Sequence, residues 1–208
     1  TINRVDDNRF GSVGRPLKNV EVRIDKPGRD GVGEICVRGD SVTPGYKGNP
    51  IRTAELIRDG WLHSGDLGRF DKGHLWITGR AKNVIVSAAG KNIYPEELEE
   101  RLLDSPYVLE ALVVGRSKSG GKQGEEVFAV IVPDLDQMRA EWGVDPQAPD
   151  ADLVRRKISA VIAEVNAHVA EYKRITGFDL RLAELEKTAS KKVKRFLYAQ
   201  GNSTLPSS

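Results

Sequence analysis

Residues 61–97 read WLHSGDLGRFDKGHLWITGRAKNVIVSAAGKNIYPEE, and this stretch decides how the chain is divided. Up to Arg80 the pattern is one of strands and turns. Trp61-Leu62-His63 and His74-Leu75-Trp76-Ile77 read as strands flanking a polar loop, with Asp71-Lys72-Gly73 at its tip. After Arg80 the rhythm changes. Val84-Ile85-Val86 is a short strand candidate, and Pro95 to Leu103 reads as a helix. Proline suits the first turn, Glu96 and Glu97 suit the positive end of the helix dipole, and Leu98 and Leu102 share a face. The predicted fold is therefore α+β in two parts, a mostly β part over residues 1–81 and a compact α+β part over 82–200. Residues 201–208 (GNSTLPSS) read as a flexible tail.

Working outward, Val20 to Ile24 alternates apolar and polar residues as a half-buried strand does, Lys26 to Gly33 is a turn cluster, and Glu34 to Arg38 is a second strand. Thr53 is the expected cap of a short helical segment, AELI, ended by Asp59-Gly60. Downstream, Val108–Gly115 and Val127–Pro133 are strong strands joined by the loop RSKSGGKQGEE. Leu135–Trp142 reads as a helix ended by Gly143. Leu153–Tyr172 reads as a long amphipathic helix, with Val154, Ile158, Val161, Ile162, Val165 and Val169 at helical spacing. A last strand is expected over 175–182 and a short helix over 193–198.

Composition narrows the function classes. The 208 residues are 39% apolar and 30% charged, with a formal net charge of +2, so overall charge gives no reason to expect a polyanionic partner. Cys36 is the only cysteine, which excludes an intrachain disulfide and a cysteine-rich zinc site. In a strand it reads as a small core residue rather than a nucleophile. His63, His74 and His168 show no metal-ligand spacing, and no metal is assigned. No apolar run approaches the roughly 20 residues of a membrane helix. The opening residues TINRVDDNRF show no signal-peptide pattern, and a cytoplasmic location is expected. They read as mid-protein sequence, so the chain is expected to be a fragment of a longer one.

Several residues could carry chemistry, each beside a plainer reading. Asp66, next to Gly65, could accept two hydrogen bonds from a ribose diol, or simply cap its own turn. Arg80 after Gly79 could meet a phosphate or ribose, or form a surface ion pair. Ala88-Ala89-Gly90-Lys91 is a small-residue turn that permits close approach of a ligand, or a tight strand-to-helix connection. Ser117 to Gly124 lacks phosphate-loop spacing and reads as a surface hairpin loop. The run Lys187 to Arg195 (KTASKKVKR) holds five basic residues and no acid. It could be a solvated face, a nucleic-acid patch, or a loop that sets one lysine on a phosphate; no interleaved aromatics support single-strand nucleic-acid binding.

Four stretches in consistent order resemble the C-terminal part of the adenylate-forming, AMP-binding enzymes, and among them the long-chain fatty acyl-CoA synthetases: GEICVRGDSVTPGY (33–46), DGWLHSGDLG (59–68), ITGRAKNVIVSAAGKNIYPEELE (77–99) and EYKRITGFDL with KTASKKVKR (171–195). The resemblance implies an enzyme that activates a fatty acid with Mg-ATP to an acyl-adenylate and transfers it to coenzyme A. It implies that residues 1–81 end a large N-terminal domain and that 82–200 form a mobile cap domain. By the same resemblance Asp66 binds the ribose hydroxyls, Arg80 contacts the ribose or α-phosphate, and Ile77 packs near the adenine. Lys82 is the hinge, Ala89, Gly90 and Lys91 line the coenzyme A tunnel, and Lys192 is the catalytic lysine. The family's last motif usually has glycine before that lysine. Lys191 stands there instead and competes for the role. The family's phosphate loop, metal-binding glutamate region and acyl pocket belong to an N-terminal portion outside this chain, which leaves the fragment nearly inactive and its partner the rest of the same protein. Alternatives stay open: a binding module without catalysis, or a ligase serving another acceptor. So do peripheral membrane association of the parent and self-association of the fragment.

Overall fold

A computed structural model describes residues 1–117 and 124–199. The chain divides into two compact units, Thr1–Asn83 and Val84–Ser208.

The first unit is built on an antiparallel sheet. Strands β1 (Val20–Asp25), β2 (Gly33–Gly39), β3 (Ile57–Arg58), β4 (Trp61–Asp71) and β5 (His74–Arg80) run in the order β1-β2-β4-β3, with β5 also paired to β4. Two tight hairpins set the register. Asp59 and Gly60 (φ 50° and 76°) join β3 to β4, and Lys72 and Gly73 (φ 49° and 82°) join β4 to β5. Two consecutive positive φ values give the turn whose twist matches that of paired strands, and glycine takes the second place without steric cost. Val32, Ile35, Cys36 and Leu75 are buried here, together with His63 and His74.

Two expectations are corrected in this unit. Residues 64–70 are strand rather than loop: β4 is continuous from Trp61 to Asp71 because β2 and β5 pair with it on its two sides. Helix α1 (Pro50–Leu56) starts earlier than predicted, capped by Asn49, whose side chain accepts the Arg52 N–H at 3.0 Å, with proline in the first turn. Thr53 lies inside the helix. Its hydroxyl donates to the Asn49 carbonyl and accepts the Tyr46 N–H, so it fastens the preceding turn.

The second unit holds a two-stranded sheet, β6 (Ile85–Val86) with β7 (Asn92–Ile93), then α2 (Pro95–Leu103), β8 (Val108–Ser117), β9 (Glu125–Pro133), α3 (Leu135–Trp142), α4 (Ala151–Ala167), β10 (Gly177–Leu180) and α5 (Phe196–Ala199). The main sheet runs β10-β9-β8, with β8 and β9 antiparallel and β10 parallel to β9. Residues 118–123 of the β8–β9 connection, and with them most of the predicted hairpin loop, lie outside the described residues, as do 200–208. The larger core joins Leu98 and Leu102 of α2, Val113, Ala129 and Ile131 of the sheet, Met138 of α3, and Val154, Ile158 and Ile162 of α4. A smaller core on the other face joins Leu112, Val114, Val130 and Val132 to Leu185.

Helix α4 starts at Asp150, whose carboxylate accepts the N–H groups of Asp152 and Leu153, and ends at His168, short of the predicted Tyr172. The Asn166 side chain binds both the N–H and the carbonyl of Ile175, at 2.8 and 2.9 Å, which requires the chain to turn back. Val169 then packs against the core from outside the helix. The last strand and the last helix are also shorter than predicted: the strand is Gly177–Leu180, limited by its pairing to Phe128–Ile131, and the helix is Phe196–Ala199.

Ile158 is fully buried at the centre of the larger core. Ile158→Ala is expected to lower stability by about 2–5 kcal/mol, the usual sum of lost transfer energy and residual cavity. Urea unfolding followed by far-ultraviolet circular dichroism checks this, and a midpoint equal to that of the wild type would contradict the assigned packing.

Candidate functional site

The Ser64-Gly65-Asp66 segment is a bulge in β4. From His63 to Leu67 the strand takes four steps while β2 takes two, from Cys36 to Glu34. Its backbone is held by neighbours. The Ser64 hydroxyl donates to the Ile35 carbonyl (2.7 Å) and accepts the Asp66 N–H (3.0 Å), and Glu34 Oε1 accepts the Gly65 N–H (3.1 Å). The bulge puts Asp66 opposite Arg80 on β5, where Arg80 Nε meets Asp66 Oδ1 at 2.7 Å. Both side chains are partly exposed, at 29% and 45%. The bond uses one carboxylate oxygen and one guanidinium nitrogen. A carboxylate has a second acceptor oxygen and a guanidinium two terminal amino groups, so the pair retains the donors and acceptors a ribose phosphate needs. Ile77, three residues before Arg80 on the same strand, is an apolar side chain 52% exposed.

Lys82 is exposed within a single 3-10 turn, Ala81–Asn83, with which the first unit ends. In the second unit Ala88 to Lys91 form a turn closed by Ser87: its N–H donates to the Lys91 carbonyl, its carbonyl accepts the Gly90 N–H, and its hydroxyl accepts the Lys91 N–H. Ala89, Gly90 and Lys91 are all exposed.

Lys192 lies in a tight loop closed by the bridge between Lys187 and Val193. The Thr188 N–H donates to the Lys192 carbonyl, and the Thr188 carbonyl accepts the Lys191 N–H, each at 2.8 Å. Lys191 has φ 60°, the left-handed conformation. A side chain there is strained by about 1–2 kcal/mol, whereas glycine is not. Glycine at this position would relieve that strain.

The five cations of this run divide cleanly. Lys187 pairs with Glu110 and Glu184, Lys194 with Glu186, and Arg195 with Glu99 and Glu96. Glu110 raises the Lys187 ammonium above its ordinary range. Among the described residues no carboxylate pairs with Lys191 or Lys192, and both are exposed.

Sequence reasoning missed what holds this loop. Strand β8 is an edge of its sheet, so the backbone of Val113 needs partners from elsewhere. Glu99 on α2 accepts the Val113 N–H (2.7 Å), and Arg195 donates to the Val113 carbonyl (2.9 Å). Arg195 also grips both Glu99 oxygens, at 2.8 and 2.6 Å. Burial pushes the Glu99 carboxyl up, against the opposing pull of Arg195 and the Val113 N–H. The available signals were an acid beside the buried Leu98 and an arginine ending a basic run; their meeting across 96 residues is not written in either.

Sequence spacing also missed a third cluster. Glu34, Cys36 and His63 have ligand-type atoms within 4.8 Å of one another. They come from two paired strands, which is why no short spacing shows them. Burial, with Glu34 adding to it, raises the Cys36 thiol.

Residues 97–192 match the family model described as the AMP-binding enzyme C-terminal domain. The chain belongs to the AMP-binding enzymes. It is 34% identical over 214 residues to the long-chain-fatty-acid–CoA ligase FadD15 of Mycobacterium tuberculosis, covering 96% of this chain and 34% of that protein. It is 45% identical over 127 residues to a 2-succinylbenzoate–CoA ligase of Bacillus cytotoxicus, covering 59% of this chain and 26% of that protein. Among solved structures, the o-succinylbenzoate CoA synthetase MenE of Bacillus subtilis, in complex with the acyl-adenylate intermediate OSB-AMP, aligns with a TM-score of 0.71 and 30% identity. That alignment covers 90% of this chain and 35% of MenE. The chain therefore spans about a third or less of the length of these relatives.

Arg195→Met is expected to destabilise the chain by roughly 3–5 kcal/mol at neutral pH, because it leaves Glu99 buried without its cation. The Glu99 carboxyl, already raised by burial, then rises further above its unfolded value. A raised acid binds more protons when folded than when unfolded, so stability falls as pH rises through that window. The deficit should therefore be largest at neutral pH and shrink on acidification. Unfolding measured at neutral and mildly acidic pH checks this; a deficit independent of pH would contradict it.

Proposed function

We propose that this chain is the C-terminal portion of a ligase that activates a long-chain fatty acid with ATP to an acyl-adenylate and passes the acyl group to coenzyme A. The observation that carries the reading is Lys192, an exposed cation with no carboxylate partner among the described residues, in a loop whose neighbouring cations Lys187, Lys194 and Arg195 are tied by ion pairs. A lysine left in that state can stabilise charge that builds on phosphate oxygens as pyrophosphate departs. Lys191 is the weaker candidate, since it fills a backbone position that glycine fits better.

In this reading Asp66 and Arg80 take the ribose hydroxyls and the neighbouring phosphate, and Ile77 packs on the adenine. Lys82 is the hinge about which the second unit turns between the two half-reactions, and Ala89, Gly90 and Lys91 border the path of coenzyme A. Mg2+ and most of the phosphate contacts are assigned to the portion of the protein outside this chain. Likeness to FadD15 along 96% of the chain supports the fatty acid as substrate. The higher identity to 2-succinylbenzoate ligases over a shorter stretch favours a second acid, an aromatic dicarboxylate. Likeness to the amide bond synthetase McbA, 30% identical with a TM-score of 0.69, keeps a second acceptor in view, an amine in place of the thiol.

The test is pyrophosphate release by the full-length parent with ATP and magnesium, offered a long-chain fatty acid or 2-succinylbenzoate, and then coenzyme A or an amine. Turnover with the fatty acid and coenzyme A is expected. Lys192→Ala should lower adenylation by about 10²–10³-fold, the usual cost of removing one positioned charge stabiliser. Lys191→Gly should retain adenylation near the wild-type rate and fold at least as stably. Loss of activity in Lys191→Gly with retention in Lys192→Ala would reverse the assignment, and preference for 2-succinylbenzoate would replace the substrate.

A further inference from the structure

Cys36 on β2 and His63 on β4 are directly opposed partners in the antiparallel pairing, and Glu34 lies two residues before Cys36 on the same face of its strand. Three polar atoms converge there. His63 Nδ1 is 2.7 Å from Glu34 Oε2 and 3.4 Å from Cys36 Sγ. A single ring nitrogen carries either one proton or one lone pair, so it can form one good hydrogen bond and not two. The carboxylate asks it to donate and the thiol asks it to accept. Placing a cation where the three atoms meet removes this conflict, because all three become ligands.

We propose that Glu34, Cys36 and His63 form a binding site for one soft-to-borderline divalent transition-metal ion, with Zn2+ as the best match. The site is separate from the acyl-transfer reading and does not depend on it. One nitrogen, one sulfur and one carboxylate oxygen suit zinc, whereas magnesium and calcium need mostly oxygen donors. All three ligand atoms lie within 4.8 Å of one another, close enough for small side-chain shifts to bring them onto one ion. Zinc bonds of about 2.0–2.3 Å in a tetrahedron put ligand atoms roughly 3.3–3.6 Å apart. The sulfur and nitrogen already stand at 3.4 Å, and the carboxylate oxygen has to draw back by less than about 1 Å. Burial is graded as such a site requires: Cys36 is fully buried, the His63 side chain is 7% exposed and the Glu34 side chain 23%. One cation opposes the ion. Arg23, the partner of Cys36 on β1, is the nearby cation, and it is itself offset by Asp25 at 3.6 Å.

The supporting contacts are also in place. Glu34 Oε1 accepts the Gly65 N–H, which leaves Oε2 to face the site and fixes the carboxylate plane. An ion held there would brace the Ser64–Asp66 bulge from beneath.

The test is metal titration of the reduced, chelator-treated chain with Co2+ and Zn2+ as the only added ions. One equivalent should bind. Co2+ should give the near-ultraviolet thiolate-to-metal band and the visible bands of a tetrahedral site, and Zn2+ should displace it. Cys36→Ser should abolish the near-ultraviolet band. Glu34→Gln and His63→Gln should each weaken binding at least tenfold, while His168→Ala leaves it unchanged. Zn2+ should raise the melting temperature of the wild type and not that of Cys36→Ala. Absence of the thiolate band at saturating Co2+ in the wild type would overturn the proposal whatever the variants do. So would equal affinity in the wild type and Cys36→Ala.

Discussion

The β8–β9 ladder is the constraint on which the second unit depends. Beyond the irregularity between Val108 and Glu110, its two strands alternate. Val113, Val127, Ala129 and Ile131 enter the larger core, and Leu112, Val114, Val130 and Val132 enter the smaller one. The first face is covered by α2, α3 and α4. The second is covered by the C-terminal segment, through Leu185, Val193 and Tyr198. The residues that seat the Lys192 loop are therefore the same ones that keep the second face of the sheet dry. At the open edge of β8, Glu99 and Arg195 together give Val113 the donor and acceptor that a further strand would have supplied. That edge is thus closed by side chains, and the arginine that closes it sits three residues from Lys192.

In the first unit the comparable device is a bulge. Two more residues in β4 than in the facing stretch of β2 carry Asp66 round to Arg80, and Glu34 and Ser64 hold the displaced backbone. A flat strand would send alternate side chains to opposite faces and would offer no such place. Glu34 serves two neighbours at once, the bulge through one oxygen and His63 through the other.

Much of this was legible in the sequence, for local reasons. A period-two run marked β1, short strand-like runs marked β2, β8 and β9, and Pro95 with Glu96 and Glu97 marked the start of α2. Lys72-Gly73 marked the hairpin tip, and Gly143 the end of α3. What was misread depended on distant partners. Ser64 to Phe70 looks polar enough for a loop, yet it is strand because β2 and β5 flank it. Val169 fits the helical period, yet α4 stops at Ala167 because Asn166 holds Ile175. The candidate residues Asp66 and Arg80 could be picked out by type and setting, and Lys192 through the resemblance alone. Their partners could not. Glu99 with Arg195, and Cys36 with His63, meet only through the fold. The strain at Lys191 became visible only as a backbone angle.

The parallel pairing of β10 with β9 has a consequence for the order in which the second unit assembles. An antiparallel hairpin can zip from its turn, but a parallel strand must wait for its crossover. Thr176 meets Val127 across 49 residues, a stretch that includes α3 and α4. The contacts that seat the Lys192 loop span more still, 77 residues for Lys187 with Glu110 and 96 for Arg195 with Glu99. Closing such loops costs entropy that only completed packing offsets. Docking of the C-terminal segment is therefore expected late in the folding of this unit. If the loop that bears Lys192 left its seat, the smaller core would open with it, while the larger core on the other face of β8 and β9 would keep its own cover of α2, α3 and α4.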